Sequence, residues 1–126
     1  MAQLFTCSYA AFKPEMRTPV RITLGGPRRP EPTGRDHWLY VAELAPKGWY
    51  FKAPADVFAR RCTEQLDRLA DDIDAKLAWL TEEFGGPIVL LCWEKRVRGP
   101  EDCRRRWAAW WTERTGIEVP ELDGKA

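Results

Sequence analysis

The run Ile88-Val89-Leu90-Leu91-Cys92-Trp93 constrains this chain more than any other feature. It is apolar without interruption, entered through Gly85-Gly86-Pro87 and left at Glu94-Lys95. An amphipathic helix would interrupt it with polar positions, and a strand with one solvated face would alternate. A strand buried on both faces needs neither, and such strands sit inside parallel sheets. Parallel neighbours cannot be joined by a tight hairpin, so the rest of the chain must supply crossovers. A length of 126 residues suits one domain. The expected fold is therefore α/β: a single compact Rossmann-like three-layer domain over residues 1–126, with a mostly parallel sheet of four or five strands and helices on both faces. Residues 123–126 are expected to form a disordered tail.

The flanking segments fit this scheme. Gln3 to Tyr9 predicts a short strand with Leu4, Phe5 and Cys7 buried, and Val20 to Leu24 alternates with period two and predicts another. Phe12 to Met16, between them, is too short for a full crossover helix. Gly25 to Gly34 reads as loop, and its prolines favour an extended form. Trp38 to Leu44 fits either a short strand or a helical turn. After Pro54, residues Phe58, Cys62, Leu66, Leu69, Ile73, Leu77, Leu80 and Phe84 recur at helical spacing as one apolar stripe. The stripe belongs to one helix, or to two broken near Asp71-Asp72 with either aspartate as cap. A last helix follows Gly99-Pro100, with Glu101-Asp102 in its first turn and Cys103, Trp107, Trp110 and Trp111 on one face. Three tryptophans on one face serve as core or as stacking surfaces. Ile117 to Leu122 predicts a short strand that Pro120 confines to a sheet edge.

Charge excludes some functions and leaves others open. The formal net charge is +1, so bulk charge does not call for nucleic acid. The charges are segregated, however. Residues 64–83 carry seven acids and two bases, whereas residues 95–106 carry six bases and two acids. No apolar stretch is long enough to span a membrane, and the N-terminus lacks the basic and apolar regions of a signal peptide. A cytoplasmic location is expected, with the cysteines reduced. Cysteines at 7, 62, 92 and 103 form no C-x-x-C pair, so a structural metal site is not expected, and no cofactor is implied.

Ligands of open parallel sheets bind beyond the carboxyl ends of the strands. That edge is expected to gather Ser8 and Tyr9, Gly25, Gly26 and Arg28, and Trp93, Glu94 and Lys95. Arg104 and Arg105 arrive there at the start of the last helix, against their own helix dipole. Cations at a positive helix end imply a bound anion, an acid nearby such as Glu94, or a solvated basic face. The glycines either admit a ligand to the backbone or form a plain turn. Cys92 and Cys103 are either a thiol pair or two buried small residues, and Glu94 is the remaining candidate for a catalytic role. His37 is the sole histidine and lies in a polar loop, so no Cys-His pairing is indicated.

P-I-V-L-L-C-W-E-K at 87–95, then Cys103-Arg104-Arg105, then a Trp-rich helix ending in T-G-I-E-V-P-E-L at 115–122, resembles the bacterial family called domain of unknown function 488. T-C-S-Y-A at 6–10 is similar to that family's first strand, and V-R-I-T-L-G-G-P-R at 20–28 to its second strand and Gly-rich loop. The likeness spans residues 4 to 122 and is most specific in the carboxyl third. It implies an α/β fold and a pocket, without an established activity. One position departs: Arg104 stands where the family has His.

Three functions are compatible with these residues. The first is binding of an anionic ligand, a nucleotide or a nucleic-acid end, in a basic pocket at the carboxyl edge. The second is protein interaction through an exposed Trp/Arg surface. The third is thiol chemistry at Cys92 and Cys103. No membrane partner is expected, and the sequence does not specify an oligomeric state.

Overall fold

The structure, a computed structural model, describes residues 3–23, 26–45, 54–93 and 103–122. Four strands, β1 (Leu4–Ser8), β2 (Thr18–Arg21), β3 (Leu39–Tyr40) and β4 (Ile88–Cys92), form one sheet in the order β1-β4-β2-β3. Every pairing is parallel. The apolar run thus lies inside the sheet, and all five β4 residues are buried. Ser8 stands opposite Cys92, and Arg21 opposite both Leu91 and Tyr40, so the strands end nearly level at the carboxyl edge.

β2 begins earlier than the alternating pattern indicates and includes Pro19. Thr18 N donates to Pro87 O and Ile22 N to Leu91 O, so alternate residues turn toward β4. The Pro19 nitrogen points to the other side, where β3 pairing has not begun, because its first partner is Val20. A residue without an N–H loses nothing there. The ambiguous segment at 38–44 contains both options: β3, and a 3-10 turn at Ala42–Leu44. The carboxyl segment makes a single parallel bridge, Thr6 to Glu121, with Thr6 N donating to Pro120 O and Leu122 N to Thr6 O. It borders β1 as a narrow edge rather than a full fifth strand.

The long apolar stripe divides into α1 (Ala55–Arg68) and α2 (Ala70–Phe84). The break falls at Leu69, ahead of the expected Asp71-Asp72, and no side chain caps α2; both aspartates lie in its first turn. Leu69 N still donates to Gln65 O, and Leu69 packs into the core, so the apolar row continues through the break. α2 stops at Gly85, whose φ of 76° strains any other residue. The third helix, α3, is described over Cys103–Thr115. Its expected start at Pro100 and the first-turn acids Glu101 and Asp102 lie outside the described residues, as does the tail at 123–126.

The parallel α/β architecture is as expected, but the two faces of the sheet are covered unequally. Leu4, Val20, Ile88, Leu90 and Cys92 share one core with Leu66 of α1, Ile73, Leu77 and Leu80 of α2, and Trp107 and Trp111 of α3. Among the described residues, all three α-helices therefore cover one face. On the opposite face Cys7, Tyr9, Val89 and Leu91 meet Phe12, Met16, Trp38 and Leu122. The cover there is a 3-10 turn, Pro14–Met16, and irregular chain. Among the described residues, the helical cover expected on this second face is limited to that turn. The connection from β1 to β2 is too short to hold an α-helix, and the connection from β2 to β3 has none among its described residues; α1, α2 and α3 lie in the stretches after β3 and β4.

Trp107 and Trp111 stack with ring centroids 5.7 Å apart and are core. α3 is tied to the acidic helices: Trp110 Nε1 donates to Asp67 (2.8 Å), and Arg114 pairs with Asp74 (2.6 Å). Part of the acidic flank thus serves to hold α3. The buried stripe yields a direct expectation. Leu66→Ala or Leu80→Ala should each cost about 2–5 kcal/mol, because each leaves a cavity in the shared core. Urea unfolding midpoints measure this; shifts near zero would place the stripe outside the core.

Candidate functional site

Where β1 and β4 end together, the chain turns sharply. Tyr9 N donates to Cys92 O (3.0 Å), which pins the first residue beyond β1 to the last of β4. Ser8 is fully buried, and its Oγ accepts from Ala11 N (3.1 Å). Ser8, expected to meet a ligand, instead shapes this turn. Alternation along β1 sends the Tyr9 ring to the loop-covered face, edge-on to Trp38 (5.8 Å) and Trp93 (4.7 Å). Its hydroxyl is hydrogen-bonded to Thr23 Oγ1 at 2.6 Å. Burial pushes the Tyr9 phenol up to about 12, with the Thr23 bond opposing.

The loop after β2 folds back over this aromatic group. Arg29 donates from Nη2 to the Tyr9 carbonyl, and Trp38 Nε1 donates to the Arg29 carbonyl (3.3 Å). Glu31 organises the far half of the loop. Its buried carboxylate accepts from the Thr33 backbone N–H, from Thr33 Oγ1 (2.7 Å) and from Arg35 Nη1 (3.0 Å). Burial alone would raise its pKa, but these bonds prevail and hold the carboxyl below its ordinary range.

Between the loop and the strand ends lies an open groove of about 280 Å3, lined among the described residues by Tyr9, Ala10, Pro27, Arg28, Arg29 and Trp93. Trp93 is 52% exposed directly after a fully buried strand. Arg28 is also exposed, and among the described residues no hydrogen bond or ion pair ties it to another side chain. The groove thus has one aromatic wall and one basic wall with an uncommitted guanidinium. It brings together three of the residues expected at this edge: Tyr9, Arg28 and Trp93.

The other expected residues serve elsewhere. A Cβ at Gly26 would lie 2.7 Å from Arg21 Cδ, so this glycine makes room for Arg21 rather than for a ligand. Arg21 in turn lies over the Tyr40 ring at 3.9 Å and donates to Thr23 O (3.1 Å). Arg104 is fully buried, and its Nε donates to both Glu121 oxygens at 2.9 and 3.1 Å. Thr6 Oγ1 donates to the same carboxylate at 2.6 Å. Arg105 Nη1 donates to Thr6 Oγ1 (2.9 Å) and Val119 O (2.8 Å). The acid that offsets these arginines is therefore Glu121. They clamp the carboxyl segment onto β1.

Cys92 belongs to the helix-side core at 0% exposure, and no disulfide joins the described cysteines. This is the buried-residue alternative for Cys92. Gly25, Glu94, Lys95 and the Cys103 side chain lie outside the described residues. His37 is exposed. Among the described residues no group of His, Cys, Asp and Glu is placed to hold a metal ion. Trp38, Thr23 and Glu31 were not signalled by the sequence. Each acts through a partner distant along the chain or through a loop shape that no motif marks.

No family model, curated protein or solved structure matches the chain.

Two outcomes follow from this geometry. Arg104→Ala leaves the Glu121 carboxylate without its principal partner and should cost about 3–5 kcal/mol, the range for breaking a buried pair. Arg28→Ala, on an exposed side chain, should stay within about 0.5 kcal/mol. Chemical denaturation of both variants measures the contrast. Tyr9 should remain protonated past pH 10 and ionise only near pH 12. Because its folded pKa is raised, the stability it contributes is intact below the ordinary phenol pKa and is lost as pH rises through the folded value. The phenolate absorbance difference between the wild type and Tyr9→Phe should show this late step; a step near pH 10 would contradict the burial.

Proposed function

We propose that this protein binds a small anionic ligand, a nucleotide or a nucleic-acid end, in the groove between Trp93 and Arg28. The observation that carries the reading is the pairing of an exposed indole with an uncommitted guanidinium across one open groove. Arg21, Arg29, Arg104 and Arg105 have partners within the fold, whereas Arg28 has none among the described residues. The position agrees with the general rule that open parallel sheets take ligands beyond their carboxyl ends. Glu94 and Lys95 follow Trp93 directly in the sequence and are assigned to the same site. The resemblance to the domain of unknown function 488 family directs attention to the same stretch of chain. No helix among the described residues is long and apolar enough to cross a membrane, and the sequence grounds given above support a cytoplasmic location.

A second reading has an observation of its own. Trp79 on α2 is 51% exposed and meets Phe84 edge-on at 5.7 Å, with the Arg35 guanidinium 4.9 Å from the Phe84 ring. An exposed aromatic and basic group of this kind suits a protein-interaction surface.

Calorimetric titration with nucleoside triphosphates and short oligonucleotides at low and moderate salt tests the first reading. Binding should weaken with salt, because the groove is open to solvent. Arg28→Glu should abolish binding while Trp79→Ala leaves it unchanged. Absence of binding at millimolar concentration, or full binding by Arg28→Glu, would overturn the proposal.

A further inference from the structure

We propose that the outward face of α2 around Trp79 docks an arginine-bearing peptide segment of a partner protein, with a guanidinium laid on the indole and paired to the acids beside it. The proposal rests on the second reading above, the protein-interaction surface, and names the partner's chemistry; it is independent of the anion groove. Three observations carry it.

The first is how the acids of residues 64–83 are used. Glu64 pairs with Arg61, Asp67 accepts from Trp110 Nε1, and Asp71 and Asp74 pair with Arg114. Asp72, Glu82 and Glu83 have no hydrogen bond or ion pair among the described residues. These three are exposed and share one helical face with Trp79, seven residues before it and three and four after it. The second is the ring they surround. Trp79 is 51% exposed, Phe84 meets it edge-on at 5.7 Å, and no guanidinium lies over it among the described residues. Ala75, one turn before it, is exposed and adds no bulk. Lys76, three residues before Trp79, is paired with Glu43 (3.4 Å), and Arg35, over Phe84, with Glu31 (3.0 Å). The unclaimed charge of this face is therefore negative, and its complement is a cation.

The third is that the fold itself joins such groups twice. The Arg114 guanidinium lies 5.7 Å from the Trp110 ring and pairs with Asp74 at 2.6 Å. The Arg35 guanidinium lies 4.9 Å from the Phe84 ring and pairs with Glu31. Each combines an aromatic ring, a carboxylate and a guanidinium, and Trp79 with Glu82 and Glu83 supplies the first two. A guanidinium stacks its flat face on an indole while its N–H groups donate in plane to carboxylates. A lysine ammonium, a compact and strongly hydrated charge, does not combine the two as well, so arginine is the better complement. From Asp72 to Glu83 the face is about 16 Å long at the helical rise per residue. An extended segment of about five residues covers that length. Three uncompensated carboxylates repel a polyanion, which sets this partner apart from the ligand of the groove.

The experiment is calorimetric titration of the full chain at low salt with three hexapeptides, alternating Ala-Arg, Ala-Lys and Ala-Gln. The expected result is that the arginine peptide binds, the lysine peptide binds several-fold more weakly and the glutamine peptide does not bind. Moderate salt should weaken the arginine peptide, because the face is open to solvent. Trp79→Ala should weaken it by roughly 2- to 30-fold and narrow the preference for arginine over lysine. Glu82→Gln combined with Glu83→Gln should weaken both cationic peptides, and Arg28→Ala, in the groove, should change neither. These substitutions fall on exposed side chains, so melting temperatures should match the wild type. If the glutamine peptide binds as tightly as the arginine peptide and Trp79→Ala removes both, the cationic partner falls while the interaction surface stands. Normal binding by Trp79→Ala, or equal binding of the lysine and arginine peptides, also overturns the proposal. Self-association in sedimentation that Trp79→Ala removes overturns it in favour of a second copy of the chain. If no peptide binds at millimolar concentration, the proposal and the second reading both fall, and the anion groove is untouched.

Discussion

Strand β4 is bonded along both of its edges and buried on both of its faces. Its backbone pairs with β1 on one side and β2 on the other, so neither neighbour can be placed without it. Its side chains alternate between the two cores: Ile88, Leu90 and Cys92 meet the helices, and Val89 and Leu91 meet the irregular cover. Among the described residues no other element contributes to both cores with every residue buried. A polar group at any of these positions would lie in apolar surroundings without water, which is costly unless a hydrogen-bond partner is supplied. The same constraint sets the site. A strand that must be buried throughout ends abruptly, and the next residue, Trp93, is half-exposed at the carboxyl edge.

The two faces of the sheet are covered by different connections. The stretch from β1 to β2 crosses over β4 with room only for a 3-10 turn, so it covers its face with Phe12 and Met16. The stretches after β3 and β4 are long enough for helices, and these share the opposite face. The consequence for function is that the groove is walled by loop and strand ends rather than by a helix. Its form depends on small local devices: the Arg29 bond to the Tyr9 carbonyl, the Trp38 bond to the Arg29 carbonyl, and the ring of donors around Glu31.

The arginines show how a charge pattern divides once the chain is folded. Residues 104–106 form a basic run in sequence. In the fold Arg104 is a buried partner of Glu121, and Arg105 reaches Thr6 and Val119. Arg104 and Arg105 thereby hold the last segment against β1. Arg28, in a loop with no distinguishing motif, is left facing the solvent beside Trp93. An uncommitted cation cannot be identified by counting charges, because its availability depends on what every other charge has found.

The sequence by itself determined the parallel α/β class, the central strand, the helical stripe and the edge at which Tyr9, Arg28 and Trp93 meet. These are legible because they rest on local rules: an unbroken apolar run, helical spacing, and glycine and proline stops. Period alone also placed Trp107 and Trp111 on a common face, but their role as core needed the packing. The tertiary structure alone decided which face the helices cover, that α1 and α2 part at Leu69, that Gly26 shelters Arg21, and that Glu121 claims Arg104. Each of these joins groups through space, and several lie far apart along the chain. The pairing of Arg104 with Glu121 depends on α3 and the carboxyl segment meeting beside β1, and no spacing or periodicity encodes that meeting.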